Sequence, residues 1–240
     1  MTLLKKIALI LLVLGVMLIG GVFFILNTGP QVEATWDEQD FHSGIERSQI
    51  VIDSIDEINL ETLANGNFSV QDLNEIEDSF TSQEMSALIS QANEHGGPIR
   101  NVNVSFDNNG EGQVSFELSD HFVDFLQNQA GFAEFIPDHT LVDTVTQHLT
   151  NMLNNRPVYA QGNLSRASSN AVDIQINQLT IGRIPLTSGI TERVELETTK
   201  LVNRIISQSN GFSIEELKVE DGRLNYKGTL PKHIKGERIR

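Results

Sequence analysis

The sequence predicts an α+β fold: a single N-terminal transmembrane helix, then an extracytoplasmic domain in which amphipathic helices cover one face of a curled antiparallel sheet. Three observations predict it. An uncharged apolar run opens the chain. Farther along, segments of alternating apolar and polar residues come in pairs joined by turn sequences. Apolar residues with helical spacing separate these pairs.

The apolar run extends from Ile7 to Leu26 and contains no charged residue. A helix of this length spans a hydrocarbon core of about 30 Å. Lys5 and Lys6 precede the run and only acidic residues follow it closely, so the positive-inside rule places the N-terminus in the cytoplasm. Residues 1–29 are therefore predicted to be a cytoplasmic stub and a membrane anchor of a single-pass protein. A cleaved signal peptide is the alternative, although the run is longer than a typical signal and lacks a clear cleavage site.

The segment over 30–80 is strongly acidic, and Arg47 is its only basic residue. Apolar residues recur in it too weakly to define a core. We expect an acidic spacer, or a partly docked segment, that charge repulsion holds away from an anionic membrane surface.

The α+β domain is predicted over 81–231. Thr81 and Glu84 form a capping box that begins a helix. A β-hairpin follows, with the turn Asn108–Gly112 between two alternating strands. The next expected elements are helical stretches over 119–129 and from about 137 to 153.

A second β region begins at Pro157, and its alternating residues indicate a sheet with one buried face. A helix over 191–207 and a hairpin that turns at 220–223 complete the domain. Residues 232–240 are predicted to be a basic tail. The repeated order of helix and hairpin suggests an internal duplication.

Composition excludes several classes of function. The net charge is −15, with 17 basic against 32 acidic residues, which argues against nucleic-acid binding. The chain has no cysteine, so disulfides, thiolate metal sites and cysteine nucleophiles are ruled out. Neither an H-E-x-x-H motif, nor a G-x-S-x-G elbow, nor a P-loop occurs. We expect no enzyme activity, no metal and no cofactor; a hydrolase of envelope material is a minor alternative.

Phenylalanines are concentrated in one region, since half of the 12 fall within 106–135. Phe106 and Phe116 are assigned to the inner face of the first hairpin. The remainder either pack in the core or form the mouth of an apolar groove or patch. The candidate mouth consists of Phe122, Phe125, Leu126, Phe132, Phe135 and Ile136.

Short motifs in the last third of the chain suggest a family. They are Gly-Asn-Leu at 162–164, Leu-Thr-Ile-Gly-Arg-Ile-Pro-Leu at 179–186, and Lys-Gly-Thr-Leu-Pro at 227–231. Over about 81–240 the chain resembles bacterial membrane-anchored envelope proteins of the YpmS and LmeA kind, some of which are likened to tubular lipid-binding domains. The resemblance implies an extracytoplasmic α+β fold that holds an acyl chain between sheet and helices. It transfers no catalytic residue.

The predicted function is therefore that of a membrane-tethered extracytoplasmic domain that binds a lipid or another apolar ligand without catalysis. The alternative is a structural or assembly module that binds a protein partner in the cell envelope. A groove lined by about ten apolar side chains would favour ligand binding. A sheet packed solidly against its helices would favour assembly.

Overall fold

The computed structural model describes residues 29–53, 60–94, 96–122, 125 and 156–236. Within these residues the chain forms four helices and two sheets, which confirms the α+β class with antiparallel pairing. The helices are α1 (Glu38–Ser48), α2 (Leu60–Ala64), α3 (Ser82–Glu94) and α4 (Ser188–Gln208). The strands are β1 (Val51–Asp53), β2 (Phe68–Phe80), β3 (Ile99–Phe106), β4 (Gly112–Leu118), β5 (Pro157–Ser168), β6 (Ala171–Ile181), β7 (Ile184–Pro185), β8 (Ser213–Glu220) and β9 (Arg223–Gly236).

The five-stranded sheet is an antiparallel meander in the order β3-β4-β5-β6-β7. Its register places Phe116 opposite Val158, and Val158 opposite Ile181. The predicted capping box is present: the Thr81 N–H donates to Glu84 Oε2 at 2.8 Å, and the Glu84 N–H donates to Thr81 Oγ1 at 3.1 Å. Both predicted hairpins and the helix before the last one are confirmed, with that helix beginning earlier, at Ser188.

The four-stranded sheet is organised around β9. Strand β2 pairs antiparallel with β9 from Phe68 opposite Gly236 to Phe80 opposite Leu224. Strand β8 pairs antiparallel with the first part of β9, and β1 pairs parallel with the last part. The two sheets meet where the Ile214 N–H of β8 donates to the Ser169 carbonyl, at the turn between β5 and β6.

The acidic segment over 30–80, for which a spacer or a partly docked segment is predicted, contributes α1, β1, α2 and β2 to the fold. Arg47 supplies the positive charge with which the acidic helix α1 binds acidic side chains of α3 and β2. Its guanidinium donates to Glu84 Oε1 at 2.7 Å and to Asp78 Oδ1 at 2.9 Å. The single basic residue of the segment therefore joins α1 to both α3 and β2.

The expected basic tail is corrected, because residues 232–236 belong to β9. Pro231 lacks the N–H that a central strand normally uses, which favoured an exit from the sheet at this point. The strand continues because β2 pairs with β9 on one edge throughout, with Leu73 opposite Pro231, while on the other edge Pro231 lies between the last residue paired with β8, Thr229, and the first paired with β1, His233. Residues 237–240 lie outside the described residues.

The largest core cluster lies between the sheets. It includes Ile76 and Phe80 of β2, Val172 of β6 and Ile214 of β8, and α3 and α4 contribute flanking apolar residues. A second cluster, around Val158, lies within the five-stranded sheet and its flanking residues.

Helices close both long edges of the five-stranded sheet. Serines one helical turn apart on α3 bond to the backbone of β3: Ser82, Ser86 and Ser90. On the opposite edge, the Val172 N–H donates to Asn203 Oδ1 of α4 at 2.8 Å, and Asn203 Nδ2 donates to the Val172 carbonyl at 3.0 Å. These side chains thereby hydrogen-bond backbone N–H and carbonyl groups of β3 and β6 that no neighbouring strand pairs.

In the part of the chain that the structure describes, no helix has the length and apolar character needed to cross a membrane. The predicted anchor from Ile7 to Leu26 lies outside those residues, as do the topology residues Lys5 and Lys6.

Candidate functional site

The phenylalanines proposed as an apolar mouth are described only in part. Phe125 is 4% exposed and packs in a cluster with Ala64 of α2 and Leu201 of α4. Phe122 is half-buried against the cluster around Val158. The other four predicted mouth residues lie outside the described residues: Leu126, Phe132, Phe135 and Ile136. The two described members therefore contribute to cores, and the mouth stays a prediction.

A different feature stands out where the described chain begins. Residues 29–34, here called the juxtamembrane segment because they follow the predicted anchor, cross one face of the five-stranded sheet. Val32 and Ala34 are buried, whereas Glu33 between them is exposed. This alternation is that of an extended chain lying on a surface.

The sheet residues beneath this segment share one face. Ser115 pairs with Tyr159, and Tyr159 pairs with Thr180, so the three side chains point to the same side. All three are buried. Val32 and Ala34 pack with Tyr159, and the Val32 N–H donates to Ser115 Oγ at 3.0 Å. The segment is thus bonded to the sheet as well as packed on it.

Gly29, at the start of the juxtamembrane segment, lies directly against Gly182 in the turn between β6 and β7. A Cβ at Gly29 would collide with the Gly182 carbonyl, so the close backbone approach requires a residue without a side chain. The path of the chain therefore brings the residues that follow the predicted anchor to this turn.

Residues 182–190, here called the β7 end, form the adjoining surface. From Arg183 to Ile190, every residue except Leu186 is exposed. Ile184 is 44% exposed and Ile190 is 42% exposed. The N-cap of α4, Thr187, makes no side-chain capping bond, and the first turn of α4 contains no acidic residue. Exposed apolar residues and the positive end of a helix dipole therefore lie within one short stretch.

Two open depressions flank β7 and share Gln178 and Pro185. The first has a volume of 430 Å³ and is also lined by Gly29, Pro30, Thr180 and Arg183. The second has a volume of 370 Å³ and extends toward Ser188, Thr191 and Glu192 of α4. Both linings mix polar and apolar residues, so neither is the groove of about ten apolar side chains that would favour acyl-chain binding.

Thr180 adds a polar feature to the first depression. The residue is buried, and its hydroxyl makes no hydrogen bond to any part of the described chain. Because buried hydroxyls are nearly always paired, the unpaired Thr180 hydroxyl is unusual among the described residues that line this depression.

Charge is distributed unevenly along the chain. Residues 31–94 contain fifteen acidic residues and one basic residue, Arg47. Residues 156–191 contain one acidic residue, Asp173, and three arginines. The stretch that includes the β7 end is therefore better suited to an anionic surface than the acidic segment is, as are residues 222–236, which contain four basic residues and no acidic one.

The buried ionisable groups form structural pairs. Burial alone would raise the pKa of Glu84, but hydrogen bonds from Ser43, the Thr81 N–H and Arg47, together with the charge of Arg47, lower it below its usual value. Burial and the nearby charge of Glu111 raise the pKa of Tyr159, whose hydroxyl donates to Gln161 Oε1 at 3.1 Å. Tyr159 is therefore neutral at physiological pH.

No three His, Asp or Glu side chains converge as metal ligands among the described residues. The amino-acid sequence matches no protein-family model, no curated protein and no solved structure. The resemblance to the YpmS and LmeA kind of protein therefore stays a prediction.

Sequence reasoning missed the juxtamembrane segment and the β7 end. The signals were present: Val32 and Ala34 alternate with polar residues, and residues 179–191 contain no acidic residue. Neither signal is distinctive without the fold that brings Gly29 to Gly182.

Proposed function

We propose that the protein is a membrane-tethered extracytoplasmic domain that binds lipid, or a similar apolar ligand, without catalysis. Its N-terminus is cytoplasmic, and residues 7–26 cross the cell membrane once. The observation that carries this proposal is the packing of the juxtamembrane segment on the five-stranded sheet, through the Val32–Ser115 hydrogen bond and the burial of Val32 and Ala34.

The packed segment sets the distance between domain and bilayer. Only three peptide bonds separate Leu26, the end of the apolar run, from Gly29. Extended chain covers at most about 3.6 Å per residue, so this connection is no longer than roughly 11 Å. A domain attached in this way lies at the membrane surface, where lipid is its most abundant neighbour.

Two further features agree with a lipid ligand. The β7 end exposes Ile184 and Ile190. The adjoining stretch over 156–191 carries more arginines than acids, in contrast to the acidic residues 31–94. The phenylalanines beyond Phe125 supply additional apolar residues for an acyl chain under this proposal.

An assembly module is the second candidate, and a specific observation favours it. The described apolar residues pack into solid clusters, and the depressions among them have mixed linings. A protein partner in the envelope would bind such a surface without needing an acyl-chain cavity.

Native mass spectrometry of the full chain distinguishes the two. The chain is purified in detergent, mixed with a bacterial lipid extract, and released from its micelle in the spectrometer. A matched control fuses residues 1–28 to an unrelated soluble domain, so that lipids held by the anchor alone are counted. The proposal predicts more lipid on the full chain than on the control. Equal lipid on both, with an envelope protein co-purifying stoichiometrically, would instead establish the assembly function.

The topology has its own test, because a chain without cysteine can be labelled at single introduced sites. A membrane-impermeant maleimide applied to intact cells should label the Asn210→Cys variant and leave Thr2→Cys unlabelled. Labelling of Thr2→Cys alone would place the domain on the cytoplasmic side and refute the proposal.

A further inference from the structure

We infer that the β7 end inserts its exposed side chains into the headgroup layer of the bilayer that holds the chain's own anchor. The domain would then contact the membrane at a second site, independent of the transmembrane helix. This inference rests on the proposed function, because it requires residues 7–26 to be membrane-embedded. The occupant of the surface is the phosphate-bearing face of that bilayer.

Chain geometry is the first argument. The backbone at Gly29 touches Gly182, the first residue of the β7 end. Since Gly29 follows Leu26 by three residues, Gly29 lies within roughly 11 Å of the end of the apolar run, and the turn at Gly182 is in contact with it. The headgroup region on each side of the hydrocarbon core is of similar thickness, about 5–8 Å. The β7 end therefore reaches the depth at which headgroups lie.

Fixed orientation is the second argument. A flexible linker would allow the domain to turn any surface toward the membrane. Here Val32 is bonded to Ser115, and Ala34 packs with Tyr159, so the chain leaves the domain in one direction. The same turn consequently faces the bilayer whenever this packing is intact.

The chemistry of the surface is the third argument. Ile184 and Ile190 are large apolar side chains that remain more than two-fifths exposed. Membrane-surface proteins bury such residues at the boundary between headgroups and acyl chains. Glu192 is the nearest acidic residue to the β7 end in the sequence, and it lies beyond Ile190 at the second depression.

Polar groups around the apolar pair suit a phosphate. Arg183 is exposed and lines the first depression together with Gln178 and Thr180, whose hydroxyl has no partner in the described chain. The uncapped start of α4 adds backbone N–H groups at the positive end of a 21-residue helix. A lipid phosphate beside Pro30 would meet a cation and hydrogen-bond donors together.

Depth-dependent fluorescence quenching tests this inference on the full chain. Single-cysteine variants carry an environment-sensitive fluorophore and are reconstituted into nanodiscs of phosphatidylcholine and phosphatidylglycerol in equal parts. Some discs contain lipid with a nitroxide just below the headgroup. The test sites are Ile184→Cys and Ile190→Cys. The matched control is Val51→Cys, because Val51 is also 44% exposed in a short strand but belongs to the other sheet.

We expect the nitroxide to remove roughly half of the emission at positions 184 and 190, since interfacial side chains lie about 5–10 Å into the boundary region. Emission at position 51 should fall little. Equal quenching at positions 184, 190 and 51 would overturn the inference. Circular dichroism of each labelled chain verifies that it is folded. Because two positions, 184 and 190, are labelled separately, a disturbance caused by one substitution does not decide the result.

A label at Leu14→Cys, within the predicted anchor, distinguishes failure of the second membrane contact from absence of the anchor itself. Nitroxides deep in the acyl chains should quench the label at position 14. If they do, but quenching at positions 184 and 190 is as weak as at position 51, the anchor spans the membrane and only the second contact is refuted. If position 14 is not quenched either, the anchor is absent, and the proposed function fails together with the inference.

Discussion

The Val32 N–H donates a hydrogen bond to the Ser115 hydroxyl at 3.0 Å, with both residues buried. This bond joins the first described segment of the chain to the middle of a five-stranded sheet, across 83 residues of sequence. It makes the segment after the predicted anchor a structural part of the domain. Under the proposed topology, this contact would set the orientation of the domain on the membrane.

Replacing Ser115 by Ala should weaken the attachment of the juxtamembrane segment. The Val32 N–H would stay buried without an acceptor, at a cost of about 1–3 kcal/mol in the free energy of unfolding. Urea denaturation of the full chain in detergent measures the change. Ser105→Ala is the control: Ser105 is half-buried in the neighbouring strand β3, and its replacement should cost less. An equal loss in both variants would contradict a specific role for Ser115.

Glu84 should make stability depend on pH. Hydrogen bonds from Ser43 and Thr81 and the ion pair with Arg47 outweigh burial and lower its pKa. The stabilisation is therefore complete above the usual glutamate pKa of about 4.3 and is lost as the pH falls through the lowered value. Glu84→Gln removes the charge but keeps the shape, and should lower the free energy of unfolding by about 1.5–3 kcal/mol at neutral pH.

The difference between wild type and Glu84→Gln should begin to shrink below about pH 4, where the unfolded chain takes up a proton, and should vanish below the lowered pKa, where both folded chains carry a neutral group at this position. Urea titrations in acidic and neutral buffer measure it. Glu94→Gln serves as the control, since Glu94 is an exposed residue of the same helix. A difference that is constant with pH would show that the charge of Glu84 contributes nothing.

Asn203 should protect the edge of β6. Its side chain bonds both the N–H and the carbonyl of Val172, as a neighbouring strand would. Asn203→Ala leaves both groups unpaired, so we expect a loss of about 1–3 kcal/mol and an increase in self-association through the opened edge. Urea denaturation and size-exclusion chromatography with light scattering measure the two effects. The exposed Asn210→Ala should change neither quantity; unchanged behaviour of Asn203→Ala would contradict the capping role.

Phe125 should act as a core residue. It is 4% exposed against Ala64 and Leu201, so Phe125→Ala should destabilise the domain by about 3–5 kcal/mol. Ile190→Ala, at an exposed position, should change stability by no more than about 0.5 kcal/mol. Thermal unfolding monitored by circular dichroism compares the two. A stable Phe125→Ala variant with reduced lipid retention would instead place Phe125 at a ligand mouth.

Local signals in the sequence predicted local structure well. The capping box at Thr81 and Glu84 and the turn after Phe106 act through residues close in the chain, so the helix and the hairpin could be read directly. The alternation over Val172, Ile174 and Ile176 likewise predicted a strand with one buried face.

Elements that depend on distant partners were not readable. The alternation of apolar residues in β2 is interrupted, because the polar Asp72 and Asn74 stand between Val70 and Ile76. Its regular pairing with β9 is visible only in the fold. The docking of α1 uses bonds between residues far apart in the sequence, such as Arg47 and Glu84, which are separated by 37 positions, and composition alone indicated a solvated segment.

The candidate site shows the same limit. The Phe-rich stretch was conspicuous in composition, yet its described members, Phe122 and Phe125, pack into clusters. The β7 end is unremarkable in composition. Its importance arises because Gly29 approaches Gly182, a contact between residues 153 positions apart.

Hydrogen exchange of residues 29–36 in the full chain, reconstituted in nanodiscs, measures whether this segment is held on the sheet. We expect strong protection at the Val32 amide, which is buried and bonded to Ser115, and loss of that protection in Ser115→Ala. Exchange of the whole segment at the rate of an unstructured chain would contradict the account. It would mean that the domain hangs from a free linker, with no surface directed toward the membrane.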